Sequence, residues 1–599
     1  MRQKVVWGLV WGGLVGLMLL LAGCLPASPP PPEAAHASSP PAASDLAQLC
    51  ARNVGAPRVE RVSEHVWMAI GYDMANTILI TTADGLVVVD SGSSPERARR
   101  VKQAFREAGV AVEPVQALIY THSHADHVGG ALEWAPPEAQ IWATDSLATH
   151  LFKQYSRFLP AERARAGRQL GAHVPLAALP CSSIGDRTGL TEPRSAGLLL
   201  PTQTFRGRHT LVIGGVEMVL EEAPGETEDQ LLVWLPQDRT LLCGDNFYWA
   251  FPNLYTIRGT SPRPVDGWIN SLDRMRALKP AHLAPQHTRP IQGEVEISQA
   301  LTDYRDAIQW LRDEVVRRAN QGQDLDTIAQ EVRLPARLAH KPYLREVYGQ
   351  LDWSARAIYT NNLGWFDGRP ERLYPTPTPL AAAREVELLG GPARVLELAR
   401  QALAGGDPAW ASHLLAKLGD SRLAEGPQAQ ERQALLAQAL RDQANQVLNS
   451  NGRAYLLESA HELHHGLELP PLPPPNPRLV AAMPLEIMLD NLVIRLDPEA
   501  SQLVHAALVL VFPDVQRRYV LTVRWGVAEL VQGEALPGTP APVAVWTMAS
   551  QDFRRLILGV EGPLALRAAG KIKVEGSFLN ALGLLKLFRS PRGGQAANG

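Results

Sequence analysis

The stretch His122-Ser123-His124-Ala125-Asp126-His127 constrains this chain more than any other. Three imidazoles and a carboxylate fall within six residues, directly after the apolar run 115–120 and directly before Gly129-Gly130. Imidazole nitrogen and carboxylate oxygen together suit zinc, which takes such ligands at about 2.0–2.2 Å. So short a string cannot bring all four groups to one ion without strain. It can divide them, with His122 and His124 toward one ion and Asp126 and His127 toward a second. That is the outline of a two-metal hydrolytic site.

Two ions need more ligands, and candidates follow in order. Glu226 stands on a Gly turn, Pro224-Gly225-Glu226-Thr227, after the expected strand 216–220. Asp245, in Cys243-Gly244-Asp245-Asn246, follows the expected strand 240–243, and His287 closes the short run Ala284-Pro285-Gln286-His287. Singly these are weak signals, since an Asp after Gly is ordinarily a turn former. Their order and their strand-end placement carry them together. Asp245 could bridge through both oxygens, letting ions about 3.5–4 Å apart share a hydroxide. Asp126 and Asp245 are assigned to catalysis as well as to metal binding. Arg258 offers a planar guanidinium that pairs with tetrahedral oxyanions, and Asn253 could donate to the same anion.

The 599 residues lead one to expect three or four domains. Residues 46–295 read as an α/β unit, with strands at 66–70, 77–81 and 86–90, a helix at 94–108, and a sheet covered by helices. Residues 296–469 read as helix throughout, including 303–320, 392–404, 408–418 and 430–449, from apolar residues at three- and four-residue spacing. A stiff Pro-rich linker spans 470–477. Residues 478–590 read as a smaller α+β unit. Its expected strands are 491–497, 506–512, 519–525, 527–532 and 571–575, its helices 551–558 and 579–588, and 485–489 is either helix or edge strand. Net charge is −3 and no Lys/Arg block appears, which speaks against a nucleic-acid partner.

The N-terminus has a basic start, an apolar core from Val5 and small residues before Cys24, the pattern of a secretory signal over 1–24. Leu21-Ala22-Gly23-Cys24 resembles the bacterial lipobox. That implies an exported lipoprotein of the bacterial cell envelope, anchored through a lipidated Cys24, with 25–45 as a Pro/Ala/Ser-rich tether. Lipidation leaves Cys50, Cys181 and Cys243, and an odd remainder argues against a disulfide framework. Cys243, inside an apolar run, reads as a core residue.

The string from Thr121 to Gly130, with Gly244-Asp245 and a late His, resembles the metallo-β-lactamase superfamily signature. The resemblance implies an αββα sandwich with metals at one edge. A carboxylate at Glu226 is similar to the alkylsulfatases of that superfamily. Further stretches resemble them too: Gly71-Tyr72-Asp73-Met74-Ala75-Asn76, then Asn253 to Gly259 with Gly267-Trp268, and Leu363-Gly364-Trp365-Phe366-Asp367-Gly368-Arg369-Pro370. The last is similar to the alkylsulfatase dimerisation domain, which implies a homodimer. The tail resembles that family's sterol-carrier-like C-terminal domain with its apolar groove. Implied on this chain are two Zn²⁺ per chain. His122, His124 and Glu226 hold one, Asp126, His127 and His287 the other, and Asp245 bridges where the family usually has Glu. The implied function is hydrolysis of alkyl sulfate esters, small amphiphilic anions, to alcohol and sulfate. The alternatives are another hydrolase of the same fold, acting on a phosphoester, lactone or β-lactam, and a degenerate lipid-carrier lipoprotein.

One departure stands out. The family presents a His-Asn pair shortly before Leu-Gly-Trp, its His proposed to protonate the leaving oxygen; this chain reads Leu351-Asp352-Trp353-Ser354. A second string, His461-Glu462-Leu463-His464-His465, matches the H-E-x-x-H pattern of zinc proteases. No third ligand signature follows it, and it reads as coincidence.

Overall fold

The computed structural model describes residues 43–588, apart from 155–156, 188–191, 193, 470–472 and 474–475. The expected signal peptide, Cys24 and most of the tether lie outside the described residues, as does most of the Pro-rich linker. Among the described residues, no helix is long and apolar enough to cross a membrane. The first element, α1 (Ala43–Asn53), starts inside the span expected to be tether. Its Leu46 and Leu49 are buried, Leu46 against Val174, Leu179 and Ala454.

A disulfide joins Cys50 on this helix to Cys181, across 131 residues. This corrects the expectation drawn from cysteine parity. Cys243 is fully buried as a free thiol in the apolar core, so it drops out of the count and leaves a pair.

Seven strands form a first sheet in sequence order: β1 (Arg58–Arg61), β2 (Val66–Ile70), β3 (Thr77–Thr82), β4 (Gly85–Val89), β5 (Val115–Ile119), β6 (Gln140–Thr144) and β7 (Gln203–Phe205). Six more form a second: β8 (Arg208–Ile213), β9 (Val216–Glu222), β10 (Leu231–Leu235), β11 (Thr240–Leu242), β12 (His282–Ala284) and β13 (Ile291–Gln292), with the order β13-β12-β11-β10-β9-β8. Period-two alternation explains why the two sheets stack. Ile78, Ile80, Val87, Val89, Ala117 and Ile119 of the first sheet share one core with Leu231, Val233, Leu235, Leu242 and Ala284 of the second. The intervening Leu79, Val88 and Leu118 turn outward, under Ala98, Val101 and Phe105 of α2 (Pro95–Glu107). Leu232, Leu241 and Leu283 turn the other way, under α3 (Val265–Ala277) and α4 (Glu294–Asn320). The strands read as unbroken apolar runs because both faces are covered. The result is a four-layer αββα sandwich.

The outer core of the second sheet continues through α4 to Leu351, Ala355, Ile358 and Tyr359 of α5 (Leu351–Leu363). Near position 295 the sequence therefore changes secondary structure while the core runs on. Further helices follow, including α6 (Ser450–His465). The C-terminal unit holds a five-stranded sheet of order β16-β15-β14-β17-β18, built from β14 (His505–Phe512), β15 (Arg517–Arg524), β16 (Val527–Gln532), β17 (Pro542–Met548) and β18 (Ile572–Gly576). The pair β14·β17 is parallel. One expectation is corrected here, and one strand is added. The strand expected at 491–497 is absent, because α7 (Leu485–Val493) runs into it. Leu485, Met488, Leu489 and Leu492 are all buried, at helical spacing. The strand β17 was not foreseen; prolines at 537, 540 and 542 mask the buried alternation of Ala544, Trp546 and Met548.

Candidate active site

Strand direction brings the candidate ligands to one edge. The parallel pair β4·β5 ends with Asp90 and the 121–127 stretch side by side. The parallel pair β11·β12 does the same for Asp245 and His287. After β5 the chain forms a one-turn helix, Ala125–Val128. The Ser91 N–H and hydroxyl both donate to the His127 carbonyl, at 2.6 and 2.9 Å. Gly129 and Gly130 permit this approach, since a Cβ on them would lie 2.3 Å from Ser93 O and 2.1 Å from Ser91 O. Gly225 is required for a similar reason: a Cβ there would lie 1.7 Å from Asn246 Oδ1, which accepts the Glu226 N–H at 3.3 Å.

Two groups of potential ligand atoms result, each within 4.8 Å of one another: the buried His122, His124 and Asp245, and the half-buried Asp126 with the buried His127 and His287. In the first, His122 Nε2 lies 2.8 Å from His124 Nδ1. In the second, Asp126 Oδ2 lies 3.6 Å from His127 Nε2 and 3.5 Å from His287 Nε2. Asp245 faces both. Its Oδ2 is 3.1 Å from His287 Nε2 and 3.7 Å from His122 Nε2, and its Oδ1 is 3.5 Å from His127 Nε2. Glu226 is buried beside the first group without entering either close triad. Its Oε1 accepts from Asn253 Nδ2 at 3.0 Å and Arg263 Nη2 at 3.3 Å. Glu226 Oε2, His127 Nε2 and Asp245 Oδ1 are buried without a hydrogen-bond partner. Buried polar atoms normally have partners, so ligand atoms left without them in and beside both groups fit bound cations.

The geometry redistributes the other two assignments. Asn253 donates one of its two amide N–H groups to Glu226, which orients that carboxylate. Arg258 does reach the site: its Nη2 lies 3.3 Å from His124 Nε2, its Nη1 is paired with Glu162, and its backbone N–H donates to Gln169 at 2.8 Å. A second guanidinium, Arg263, was not singled out from the sequence. It is almost wholly buried, and its Nε has no partner.

Also missed were the groups that aim the imidazoles. Asp90 is fully buried, with a left-handed φ of 60°. It accepts from His127 Nδ1 at 2.8 Å and from the Thr121 N–H and hydroxyl at 2.8 and 2.7 Å. The Met74 carbonyl accepts from His287 Nδ1 at 2.9 Å. Each bond commits Nδ1 as donor and leaves Nε2 free to ligate. The sole trace of Asp90 in sequence is an acid closing an apolar strand.

The electrostatics alternate. Burial, then the neighbouring cationic His127, holds His122 well below the ordinary imidazole range. Burial, then His122 and the two guanidiniums, does the same to His124. Burial also works against charge on His127, but Asp245, Asp126 and Asp90 outweigh it and raise that imidazole well above its usual value. His287 is raised in the same way, chiefly by Asp245. Burial would raise Asp245, yet His287, His127 and His122 hold it well below the carboxylate range. Burial keeps Glu226 high against the pull of Arg263.

The H-E-x-x-H string forms no such site. His461 and His465 stack at 4.3 Å, and Glu462 is committed to Arg168 Nε at 2.8 Å. A further group, Glu64, His65 and Asp238, lies at the surface, where His65 Nδ1 is already bonded to Asp238 at 2.7 Å.

Comparison with known proteins agrees with this architecture. The metallo-beta-lactamase superfamily matches residues 70–287, the alkyl sulfatase dimerisation family 324–466 and the alkyl sulfatase C-terminal family 474–593. A linear primary-alkylsulfatase of Pseudomonas sp. is 32% identical over 532 residues, covering 85% of this chain and 98% of the relative. An (R)-specific secondary-alkylsulfatase of Pseudomonas sp. is 30% identical, covering 86% and 78%. The solved structure of the stereoselective inverting sec-alkylsulfatase Pisa1 from Pseudomonas sp. superposes with a TM-score of 0.82 at 27% identity, covering 91% of this chain and 86% of that one. With all three segments matched in order and that relative covered almost end to end, the chain belongs to the alkylsulfatase family of metallo-β-lactamase-fold hydrolases.

Proposed function

We propose that this protein is a dinuclear zinc alkylsulfatase that hydrolyses alkyl sulfate esters to alcohol and sulfate. The observation that carries the reading is Asp245, which lies between the two groups, its Oδ2 3.7 Å from His122 and 3.1 Å from His287 and its Oδ1 3.5 Å from His127, beside three buried ligand atoms that lack partners. His122, His124 and Glu226 would hold one ion, Asp126, His127 and His287 the other, and Asp245 would bridge. Zinc bound there would supply a nucleophilic water at neutral pH and Lewis acidity toward the ester. Arg258 and Arg263 would orient the sulfate through directed N–H bonds. Asn253 keeps Glu226 in place, and Asp90 and the Met74 carbonyl hold the two outer imidazoles in the ligating tautomer.

The N-terminal signal and lipobox support an exported, membrane-anchored lipoprotein. The Cys50–Cys181 bond supports the same compartment, because such bonds persist in oxidising surroundings. Tethering suits substrates that gather at lipid surfaces. The dimerisation-family match supports a homodimer. The reading is tested by zinc content together with sulfate release from a dodecyl sulfate series, run against phosphoester, lactone and β-lactam substrates. Two zinc ions per chain with preference for alkyl sulfates is the expected result. Metal-free protein that takes up no zinc, or turnover confined to another ester class, would overturn it.

A further inference from the structure

The helix Leu159–Leu170 carries Glu162, Arg165 and Gln169 at three- and four-residue spacing, hence on one face. That face grips the loop 256–258, which presents Arg258. The buried Gln169 Oε1 accepts from the Thr256 hydroxyl and from the Arg258 N–H, both at 2.8 Å. Arg165 Nε and Nη2 donate to the Ile257 carbonyl at 3.1 and 2.7 Å. The Glu162 carboxylate, almost wholly buried, pairs with Arg258 Nη1. The helix is fastened in turn to α6, where Glu462 of the H-E-x-x-H string takes Arg168 Nε at 2.8 Å and Nη2 at 2.7 Å. Backbone and side chain of Arg258 are thus fixed together, with Nη2 3.3 Å from His124 Nε2.

Both guanidiniums assigned to the sulfate therefore arrive with a carboxylate attached. Arg263 Nη2 lies 3.3 Å from Glu226 Oε1, and Arg258 Nη1 sits on Glu162. The charge of each arginine is balanced before an anion enters. Donors remain all the same, since a guanidinium has five N–H groups. The two carboxylates differ in duty. Glu226 is a candidate metal ligand, whereas Glu162 belongs to neither group of ligand atoms. Its charge stands beside Arg258, where it opposes an incoming anion in proportion to the charge that anion carries.

We propose that Glu162 is a specificity-determining residue, which makes the anion site select singly charged heads, as in sulfate esters, over doubly charged ones, as in phosphate monoesters. The inference rests on the alkylsulfatase reading for its substrate. A sulfate ester carries one charge near neutral pH. A phosphate monoester has the same tetrahedral shape and takes a second charge above its second pKa of about 6. Shape and N–H donors serve both heads alike, so charge has to separate them. Cations held by the two ligand groups favour the dianion, and Glu162 offsets part of that preference. Gln169, Arg165 and Glu462 keep its carboxylate from withdrawing when a dianion enters.

The test measures binding of two octyl amphiphiles to the zinc-loaded protein at pH 8 by calorimetry. Octyl sulfonate carries one charge and octyl phosphate two. Glu162→Gln keeps an oxygen for Arg258 Nη1 and removes the charge. In this variant octyl sulfonate should bind about threefold tighter and octyl phosphate about tenfold tighter, roughly the square of the first factor. Methyl octyl phosphate, a singly charged diester, should follow the sulfonate. Glu162→Asp retains the charge and should retain the ratio of the unmodified protein. Gln169→Leu frees the loop and should weaken both amphiphiles by one factor. A Glu162→Gln variant that shifts both by one factor, or shifts neither, overturns the proposal and leaves Glu162 a prop for Arg258. A ratio altered as much in Glu162→Asp or Gln169→Leu overturns it too. Sulfate release from octyl sulfate is scored separately. No release with the ratio shift present removes the alkylsulfatase reading and leaves the charge role; release without the shift removes the charge role alone.

Discussion

At the residue scale, the site divides into groups the sequence announces and groups it conceals. His122, His124, Asp126 and His127 are legible because one short string carries them, and Glu226, Asp245 and His287 because each closes a strand. Asp90 and the Met74 carbonyl are concealed, since each acts through a partner distant in sequence and belongs to no motif. Asn253 was visible in the sequence, but its bond to Glu226 was not, because sequence shows that an amide is present and not where its N–H points. Asp90 gives a direct test. Its carboxylate fixes His127 Nδ1 as the donor, and loss of such a partner typically costs 10–100-fold in metal affinity. Asp90→Asn should therefore lower zinc occupancy at limiting metal by about that factor, read by competition with a chromophoric chelator; undiminished affinity would remove Asp90 from the machinery. Glu226→Ala should reduce zinc from two ions toward one and abolish nearly all turnover. Arg258→Ala should chiefly raise KM for anionic esters, and an unchanged KM would leave the anion to Arg263.

At the element scale, β2, β3, β4, β5, β9 and β11 were legible from apolar runs, while β1, β6, β7, β8, β10, β12 and β13 were not, and the division into two stacked sheets came only from the family resemblance. That division depends on which alternate residues face inward, and strands covered on both sides hide the distinction. The stretch 491–497 shows the opposite error, where a β-rich composition concealed helical spacing. The disulfide is the plainest lesson, since parity cannot tell which thiol withdraws into the core. It staples α1 to the loop around 181–187, and that loop supports the site. Gly185 packs so tightly that a Cβ would lie 1.8 Å from the Met74 carbonyl, the group that orients His287. Gly185→Ala should displace this carbonyl and empty the Asp126–His127–His287 side first, so that zinc analysis returns about one ion per chain. Replacing Cys50 and Cys181 by Ser should lower stability by about 2–5 kcal/mol, measured by chemical denaturation. An unchanged midpoint would mean that packing of Leu46 and Leu49 suffices to hold the helix.

At the scale of the whole molecule, stability and metal content are linked through protons. His127 and His287 carry folded-state values above the ordinary imidazole value of 6.5. Groups raised on folding contribute stability fully below their unfolded value and lose it as pH climbs through the folded one. Asp245 is lowered, so its contribution is present above the usual carboxylate value of 3.8 and disappears only in more acid solution. The chelated protein should thus be most stable in the weakly acid range and weaken steadily above about pH 6.5. Zinc needs those imidazoles neutral, so it replaces the protons they carry and its affinity should rise over the same interval. The loaded protein should therefore show little alkaline weakening, because a bound cation balances Asp126, Asp245 and Asp90 where protons no longer do. Thermal unfolding at pH 6, 7, 8 and 9, with and without chelator, separates the two forms. Melting curves that fall in parallel would mean the carboxylates and imidazoles of this edge are not coupled through a shared cation, and the dinuclear assignment would lose its physical basis.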